Sequence, residues 1–342
     1  MKKKIITQTC LFIAIVLFVS IFSNIFGSEN SLIGVSTVVA SLVLLEKNLT
    51  HNPLISFIEL ALTNLLIGIL AFIANQHILL GVLINFIALT SIGYIFSYNI
   101  SKRLIIPFGL QYLFIFYTPI EYSALDTRLL SLFVGAIIVM LLQFIAHIKK
   151  ERNPETEESL LCTEGEDDHD DTTVILFGRE FNLHPIRAKY AIRVGLLTAI
   201  TALITSYFNL EQGKWIAFTV FSITEFYSEH CKIRSKERMK GTLIGALIVV
   251  VIFMIIKDST IRSLVILMAG YLNPFTENYK DATICVTISS VASVALTNDT
   301  LSVAIDRIIY VFIGIVISLL ANKYILKTSE KDLQKINSIN NK

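Results

Sequence analysis

Apolar runs follow one another along nearly the whole chain. They fall at about 5–27, 32–45, 54–74, 78–98, 104–120 and 129–147, then at about 190–208, 215–227, 241–256, 262–273, 281–297 and 308–326. A helix of about 20 residues crosses the hydrocarbon layer of a bilayer. Twelve such helices take about 240 of the 342 residues and leave about 100 for loops, tails and a linker. Only 16% of the residues are charged and 54% are hydrophobic, against about a quarter charged in an average globular domain. That excludes a soluble enzyme, a nucleic-acid binder and a disordered chain. The predicted fold class is all-α, a polytopic membrane protein of about twelve transmembrane helices. The runs at 215–227 and 262–273 hold only about a dozen residues each, which suits tilted, broken or re-entrant segments.

Direction follows from the cations. The opening Met1-Lys2-Lys3-Lys4 and the apolar run behind it imitate a signal peptide, but no small-residue cleavage site follows and more spans come at once. The reading is an uncleaved first helix with a cytoplasmic N-terminus. If all twelve runs cross, 24 of the 29 lysines and arginines lie on the cytoplasmic side. Only Arg128, Lys214, Lys257, Arg262 and Arg307 lie outside. Cytoplasmic loops of membrane proteins carry this excess, and losing one span would invert half the chain and spoil it. Both termini are then cytoplasmic, in the cell membrane.

The twelve runs divide into two sets of six. Arg128-Leu-Leu-Ser-Leu-Phe-Val-Gly135 lines up with Arg307-Ile-Ile-Tyr-Val-Phe-Ile-Gly314, 179 residues further on, and Asp126 and Asp306 precede the two arginines. Leu66-Ile67-Gly68 lines up with Leu243-Ile244-Gly245. Six is an even number, so the two copies share one orientation and form parallel repeats. The domains read as a first six-helix half over 1–147, an acidic cytoplasmic linker over 148–186, a second six-helix half over 187–327 and a cytoplasmic tail over 328–342. The stretch 151–171 holds ten acidic residues and one basic, Arg152, the composition of a solvated linker. A cation or partner site on Glu164, Glu166, Asp167, Asp168, Asp170 and Asp171 is the alternative, without a defined calcium-loop spacing.

Charge inside a bilayer is costly, so the few intramembrane charges are the first functional suspects. Arg193, near the cytoplasmic end of the seventh run, either snorkels to the headgroups or anchors a carboxylate through its guanidinium fork. Glu59 and Glu225 are either snorkelling or ion-paired groups, or protonatable coupling groups. Asp126 with Arg128, and Asp306 with Arg307, read as helix caps or as an outer gate of salt bridges. Lys232, Arg234, Lys236, Arg238 and Lys240 read as a basic cytoplasmic loop that satisfies the orientation rule or gathers anions at an entrance. Thr283 and Thr287, with Ser290, share one face of the eleventh helix, where they allow close packing or line a polar path. Trp215 belongs to an interfacial belt or stacks on an aromatic substrate.

The second half resembles the fusaric acid resistance-like family, which includes aromatic acid exporters of bacteria. The pieces that carry the resemblance are Arg193-Val-Gly195, Trp215-Ile-Ala-Phe-Thr219-Val and Arg238-Met-Lys-Gly241-Thr242-Leu-Ile-Gly245. Tyr279 with Thr283 and Thr287, and Asp306-Arg307 ahead of Gly314, complete the set, in order over about 140 residues. The first half matches only in hydropathy and in the 128–135 element, and about 40 residues stand where some of these exporters carry a large cytoplasmic domain. The resemblance implies an exporter of small organic or aromatic acids. A passive anion channel and an envelope structural or assembly protein are the alternatives. The expected partners are the bilayer and a small organic-acid substrate. No nucleic acid is expected, and a homo-oligomer is compatible with the sequence. No P-loop, HExxH or GxSxG is present. The cysteines Cys10, Cys162, Cys231 and Cys285 have no paired spacing and the histidines are dispersed. No enzyme activity, cofactor, catalytic residue or metal site is therefore expected.

Overall fold

The computed structural model describes residues 2–46, 48–97, 100–147, 172–176 and 179–328. Its elements in the first half are α1 (Lys2–Phe26), α2 (Ser31–Leu44), α3 (Pro53–Ala74), α4 (Ile78–Ile95), α5 (Ile105–Phe116) and α6 (Leu125–His147). In the second half they are α7 (Pro185–Tyr207), α8 (Lys214–Ile223), α9 (Ser228–Ile255), α10 (Ser259–Leu272), α11 (Tyr279–Val294) and α12 (Thr300–Tyr324). Each of the twelve apolar runs falls on one of these helices. Seven segments, covering α1, α3, α4, α6, α7, α9 and α12, are long and apolar enough to cross a membrane, and α2, α5 and α8 are shorter apolar helices.

The outward faces of the long helices are as apolar as their buried faces, and small or polar residues lie among the inward ones. On α3, Ser56, Asn64, Gly68 and Ala71 point inward while Leu54, Ile55, Ile58, Leu62 and Leu66 are exposed. On α9, Gly241, Thr242, Gly245 and Ala246 are buried while Leu247, Val251, Met254 and Ile255 are exposed. In water such faces would be an aggregation liability. Against lipid tails they cost nothing, and small inward residues bring helix backbones close. The chain is a multi-pass membrane protein.

Three local expectations need correction. The basic stretch from Lys232 to Lys240 is not a loop but the first third of α9. Ser235 and Arg238 face inward there while Lys232, Lys236 and Lys240 face out, a helical period that low average apolarity conceals in the sequence. Next, α12 begins at Thr300, so Asp306 does not cap it. Asp299 does, its carboxylate accepting from the Ser302 amide. Finally, the segment between the halves is not all linker. Thr172–Leu176 and Arg179–Leu183 pair as antiparallel strands β1 and β2, with Thr172 opposite Leu183 and Leu176 opposite Arg179. The β-branched residues of Thr-Thr-Val-Ile-Leu favour that pairing. The acidic stretch 151–171 and the tail from 329 lie outside the described residues.

The chain packs as two compact units that do not follow the sequence halves. One holds residues 13–203 (the N-unit), the other residues 1–12 with 204–342 (the C-unit). The physical reason is the seat of α7. Within the N-unit a Cβ on Gly93 of α4 would stand 3.1 Å from the Cα of Ala191, and one on Gly195 would stand 2.7 Å from the Phe86 carbonyl oxygen. Arg187 adds bonds from Nη2 to the Tyr94 carbonyl (3.0 Å) and from Nε to Ser97 Oγ (3.1 Å), satisfying the C-terminal end of α4. Within the C-unit the start of α1 lies on α10. Phe12 meets Tyr271 edge to face, and the Thr9 hydroxyl is 3.0 Å from the Tyr271 hydroxyl.

Inside the N-unit, α2 and α3 pack on α6, and α3 and α4 on α5. Inside the C-unit, α8 and α9 pack on α12, and α9 and α10 on α11. Glycines set the closest approaches. A Cβ at Gly245 of α9 would stand 2.8 Å from Thr287 Cβ and 2.9 Å from the Ile284 carbonyl oxygen on α11. One at Gly314 of α12 would stand 2.9 Å from Thr219 Cβ on α8.

Candidate functional site

Two buried arginines occupy corresponding places near the starts of α6 and α12, with very different surroundings. Arg128, in the N-unit, is 1% exposed and fully engaged. Its Nε donates to Asn30 Oδ1 (2.9 Å), its Nη1 to the Thr118 carbonyl (2.6 Å) and its Nη2 to the Glu29 carbonyl (2.9 Å). One guanidinium thus ties the α1–α2 turn to the α5–α6 connection. These are charge-assisted bonds to one side-chain amide and two backbone carbonyls, the strong kind.

Arg307, in the C-unit, is 2% exposed. Its Nε has no hydrogen-bond partner among the described residues, and its guanidinium lies over the ring of Trp215, 5.0 Å from the centroid. The turn before α8 repeats the turn before α2. Phe26-Gly27-Ser28-Glu29-Asn30 corresponds to Phe208-Asn209-Leu210-Glu211-Gln212, and Gly27 (φ 91°) and Asn209 (φ 48°) both take positive φ, which asparagine tolerates better than most residues. Gln212 takes the place of Asn30 in this sequence pattern, and its Oε1 is buried without a partner among the described residues. The bond that holds Arg128 is unmade at Arg307.

Arg238 of α9 is the second buried guanidinium of this unit, at 7% exposure. Its Nη1 donates to the Tyr279 hydroxyl at 3.4 Å and its Nε is open. The Tyr279 hydroxyl also meets Ser222 Oγ at 2.5 Å, and Arg234 covers its ring at 4.3 Å. Arg234 is neutralised by a short ion pair with Glu225. Neither Arg238 nor Arg307 is in an ion pair among the described residues. Trp215, the floor under Arg307, belongs to an apolar cluster with Ala246, Val249 and Phe253.

The structure therefore sets Arg307 on Trp215 and Arg238 on Tyr279, and reaches Glu225 through Arg234. Thr219 and Thr287 are fully buried at helix contacts, with hydroxyls open among the described residues, while the Thr283 hydroxyl bonds back to the Tyr279 carbonyl. Arg193, Glu59, Asp126 and Arg128 belong to the N-unit. Arg193 is wholly buried on α7. Glu59 is half-buried on α3 and its Oε2 has no partner among the described residues. Asp126 is exposed in the first turn of α6 and Asp306 is half-buried, and neither is in an ion pair among the described residues. Asn30, Gln212 and Ser222 are the participants that the sequence reading passes over. The two turns' shared pattern, an aromatic, a turn residue, then glutamate and an amide, is the signal that points to Asn30 and Gln212. No three His, Cys, Asp or Glu side chains converge as a metal site among the described residues.

No curated protein and no solved structure matches the chain. A family model matches part of it, from α7 to α12, a stretch that includes Arg193, Trp215, Arg238, Tyr279 and Arg307. Residues 189–321 are similar to the family described as fusaric acid resistance protein-like, in agreement with the resemblance carried by Arg193, Trp215, Arg238, Tyr279 and Arg307.

Proposed function

We propose that this membrane protein is a secondary transporter that exports small organic acids across the cell membrane. The observation that carries the reading is the presence of two buried guanidinium groups, Arg238 and Arg307, neither in an ion pair among the described residues. An uncompensated charge out of water costs several kcal/mol, so a chain retains two of them only if something negative visits. The aromatic floor of Trp215 and the apolar cluster beneath it suit the carbon skeleton of an organic acid.

Twelve crossings in two parallel six-helix repeats, with both termini cytoplasmic, is the topology that accompanies this reading. The cation distribution supports it, because 24 of 29 lysines and arginines then face the cytoplasm. The recurring helix pairs support it too: α3 on α6 and α9 on α12, α2 on α6 and α8 on α12. So does the reciprocal seating of α7 on α4 and of the α1 start on α10. The protein acts without enzyme chemistry or a bound cofactor. With no nucleotide-binding loop in the sequence, a proton gradient is the driving force. Glu59 carries the proton: its carboxylate is half-buried and open, whereas Glu225 is held by Arg234.

Purified protein in vesicles loaded with 4-hydroxybenzoate tests the reading. Efflux that rises severalfold when an opposing proton gradient is applied supports a coupled exporter. Gradient-independent flux with large single-channel currents makes the protein a passive anion channel instead. No flux of any organic acid removes the transport reading.

A further inference from the structure

The outward face of α9 changes character along its length. Leu243, Leu247, Val251 and Met254 are exposed on it, as side chains that meet lipid tails are. The same helical spacing, continued towards the N-terminal end of α9, reaches Lys240, Lys236 and Lys232, all exposed. Behind them the inward face runs on through Cys231, Ser235, Arg238 and Thr242. The orientation rule asks only that cations collect at this end of the helix. It does not ask them to share the lipid-facing side. Glu237 is the one acid between Lys232 and Lys240, and it is half-buried. Neither it nor any of the three lysines is in an ion pair among the described residues.

Two neighbours within the C-unit give the level of this stripe. α12 ends at Tyr324, and Asn322 in its last turn donates from Nδ2 to Cys231 Sγ of α9 at 2.8 Å. α11 begins at Tyr279, and a Cβ on Gly241 of α9 would stand 2.7 Å from the Lys280 carbonyl oxygen. One neighbour thus ends and the other begins between the levels of Cys231 and Gly241, the stretch that holds the three lysines. The outward face of α12 makes the same change. It is apolar through Phe312, Val316 and Leu320, and then presents Lys323 and Tyr324, with the ammonium 4.9 Å from the ring centroid. Such a pair suits a membrane interface. The length of α9 agrees. Its 28 residues measure about 42 Å at about 1.5 Å each, about 12 Å more than a hydrocarbon layer of about 30 Å.

From this placement we infer that the outward face of α9 around Lys232, Lys236 and Lys240 binds an anionic phospholipid. The acyl chains lie along Leu243, Leu247 and Val251, and the phosphate meets the ammonium groups. Lysine side chains on a helix lean towards its N-terminal end, here away from the apolar stretch and towards the headgroups. A phospholipid satisfies both parts of the face at once, whereas a free phosphate meets only the lysines. Near an anionic surface each lysine strengthens attachment about fivefold, and three act together here. The full chain carries its own acidic stretch, 151–171, so a lipid retained by it has already outcompeted that stretch. In the twelve-crossing topology the lipid belongs to the cytoplasmic leaflet. The site itself does not depend on what the protein transports.

The experiment is binding to the full-length protein in detergent, read by native mass spectrometry at fixed ionic strength. Three probes are used: phosphatidylglycerol, phosphatidylcholine and, as a phosphate without acyl chains, glycerol 3-phosphate. The expected result is phosphatidylglycerol retained at least tenfold more tightly than either of the others. Lys232→Gln, Lys236→Gln and Lys240→Gln together should abolish the preference, and arginine at the same three positions should keep it. Equal retention of the two lipids by the unsubstituted protein overturns the inference without any variant. Glycerol 3-phosphate bound as tightly as phosphatidylglycerol overturns the lipid as occupant. A preference that survives the glutamine variant overturns the assignment to α9, and its loss in the arginine variant overturns the role of charge. A glutamine variant that changes oligomeric mass with the lipid preference intact makes this face a contact between copies instead.

Discussion

Arg128 and Arg307 are equally buried, yet their removal has opposite consequences. Arg128→Ala leaves Asn30 Oδ1 and two backbone carbonyls without a donor, each worth about 1–3 kcal/mol when buried. The melting temperature of the detergent-purified protein should fall sharply and its yield with it. Arg307→Met removes a charge that nothing compensates. Replacing buried charge with a side chain of similar volume is often neutral or stabilising by about 1–4 kcal/mol. The empty protein should melt at the same temperature or higher while efflux is lost; a fall like that of Arg128→Ala makes Arg307 structural as well. Glu59→Gln keeps shape and removes the ionisable proton, so efflux should persist but lose its response to the proton gradient. An unchanged response clears Glu59 of the role. Both arginines were visible in the sequence as an echo 179 residues apart. Their difference was not, because it depends on whether an amide from another turn reaches Nε.

At the scale of elements, small residues decide which helices touch. Gly245→Val places side-chain atoms where Thr287 and the Ile284 carbonyl already stand, and α9 must move off α11. Overpacking of this kind costs about 1–3 kcal/mol and should lower the thermal midpoint. Gly270→Ala is the control, since its new Cβ meets only the edge of the Phe12 ring at 3.4 Å and should leave the midpoint within error. Equal effects of the two substitutions would show that α9 and α11 do not pack closely in the membrane. The helices themselves were readable from the apolar runs, and each run became a helix. Their ends were less so. The start of α9 hid in a basic stretch because a stripe of exposed lysines lowers the mean apolarity while the buried period continues beneath it through Cys231, Ser235, Arg238 and Thr242. The strands β1 and β2 hid in a segment judged by its acidic neighbours.

For the whole molecule, the proposed topology fixes the side of every loop. Reporters inserted at 75–77, 257 and 298 should read as external, and those at 102, 277 and 335 as cytoplasmic; a single loop on the wrong side breaks the twelve-crossing count. The division into units was beyond the sequence. Nothing in the composition of α7 says that it lies on α4, and only the fit of Gly93 and Gly195 against their neighbours and the Arg187 bonds place it there.

By itself, the sequence determined that this chain lives in a bilayer, how many helices it offers, and that few charges are left inside them. Those properties are sums over residues, and apolar length and cation placement decide them before any helix meets another. Only the tertiary structure decided which of the buried charges are spent. A guanidinium is structural or available according to the acceptors within about 3 Å of its nitrogens, and those come from turns and helices distant in the chain. That is why Arg128 closes a turn while the Nε of Arg307, its counterpart, is left open above Trp215.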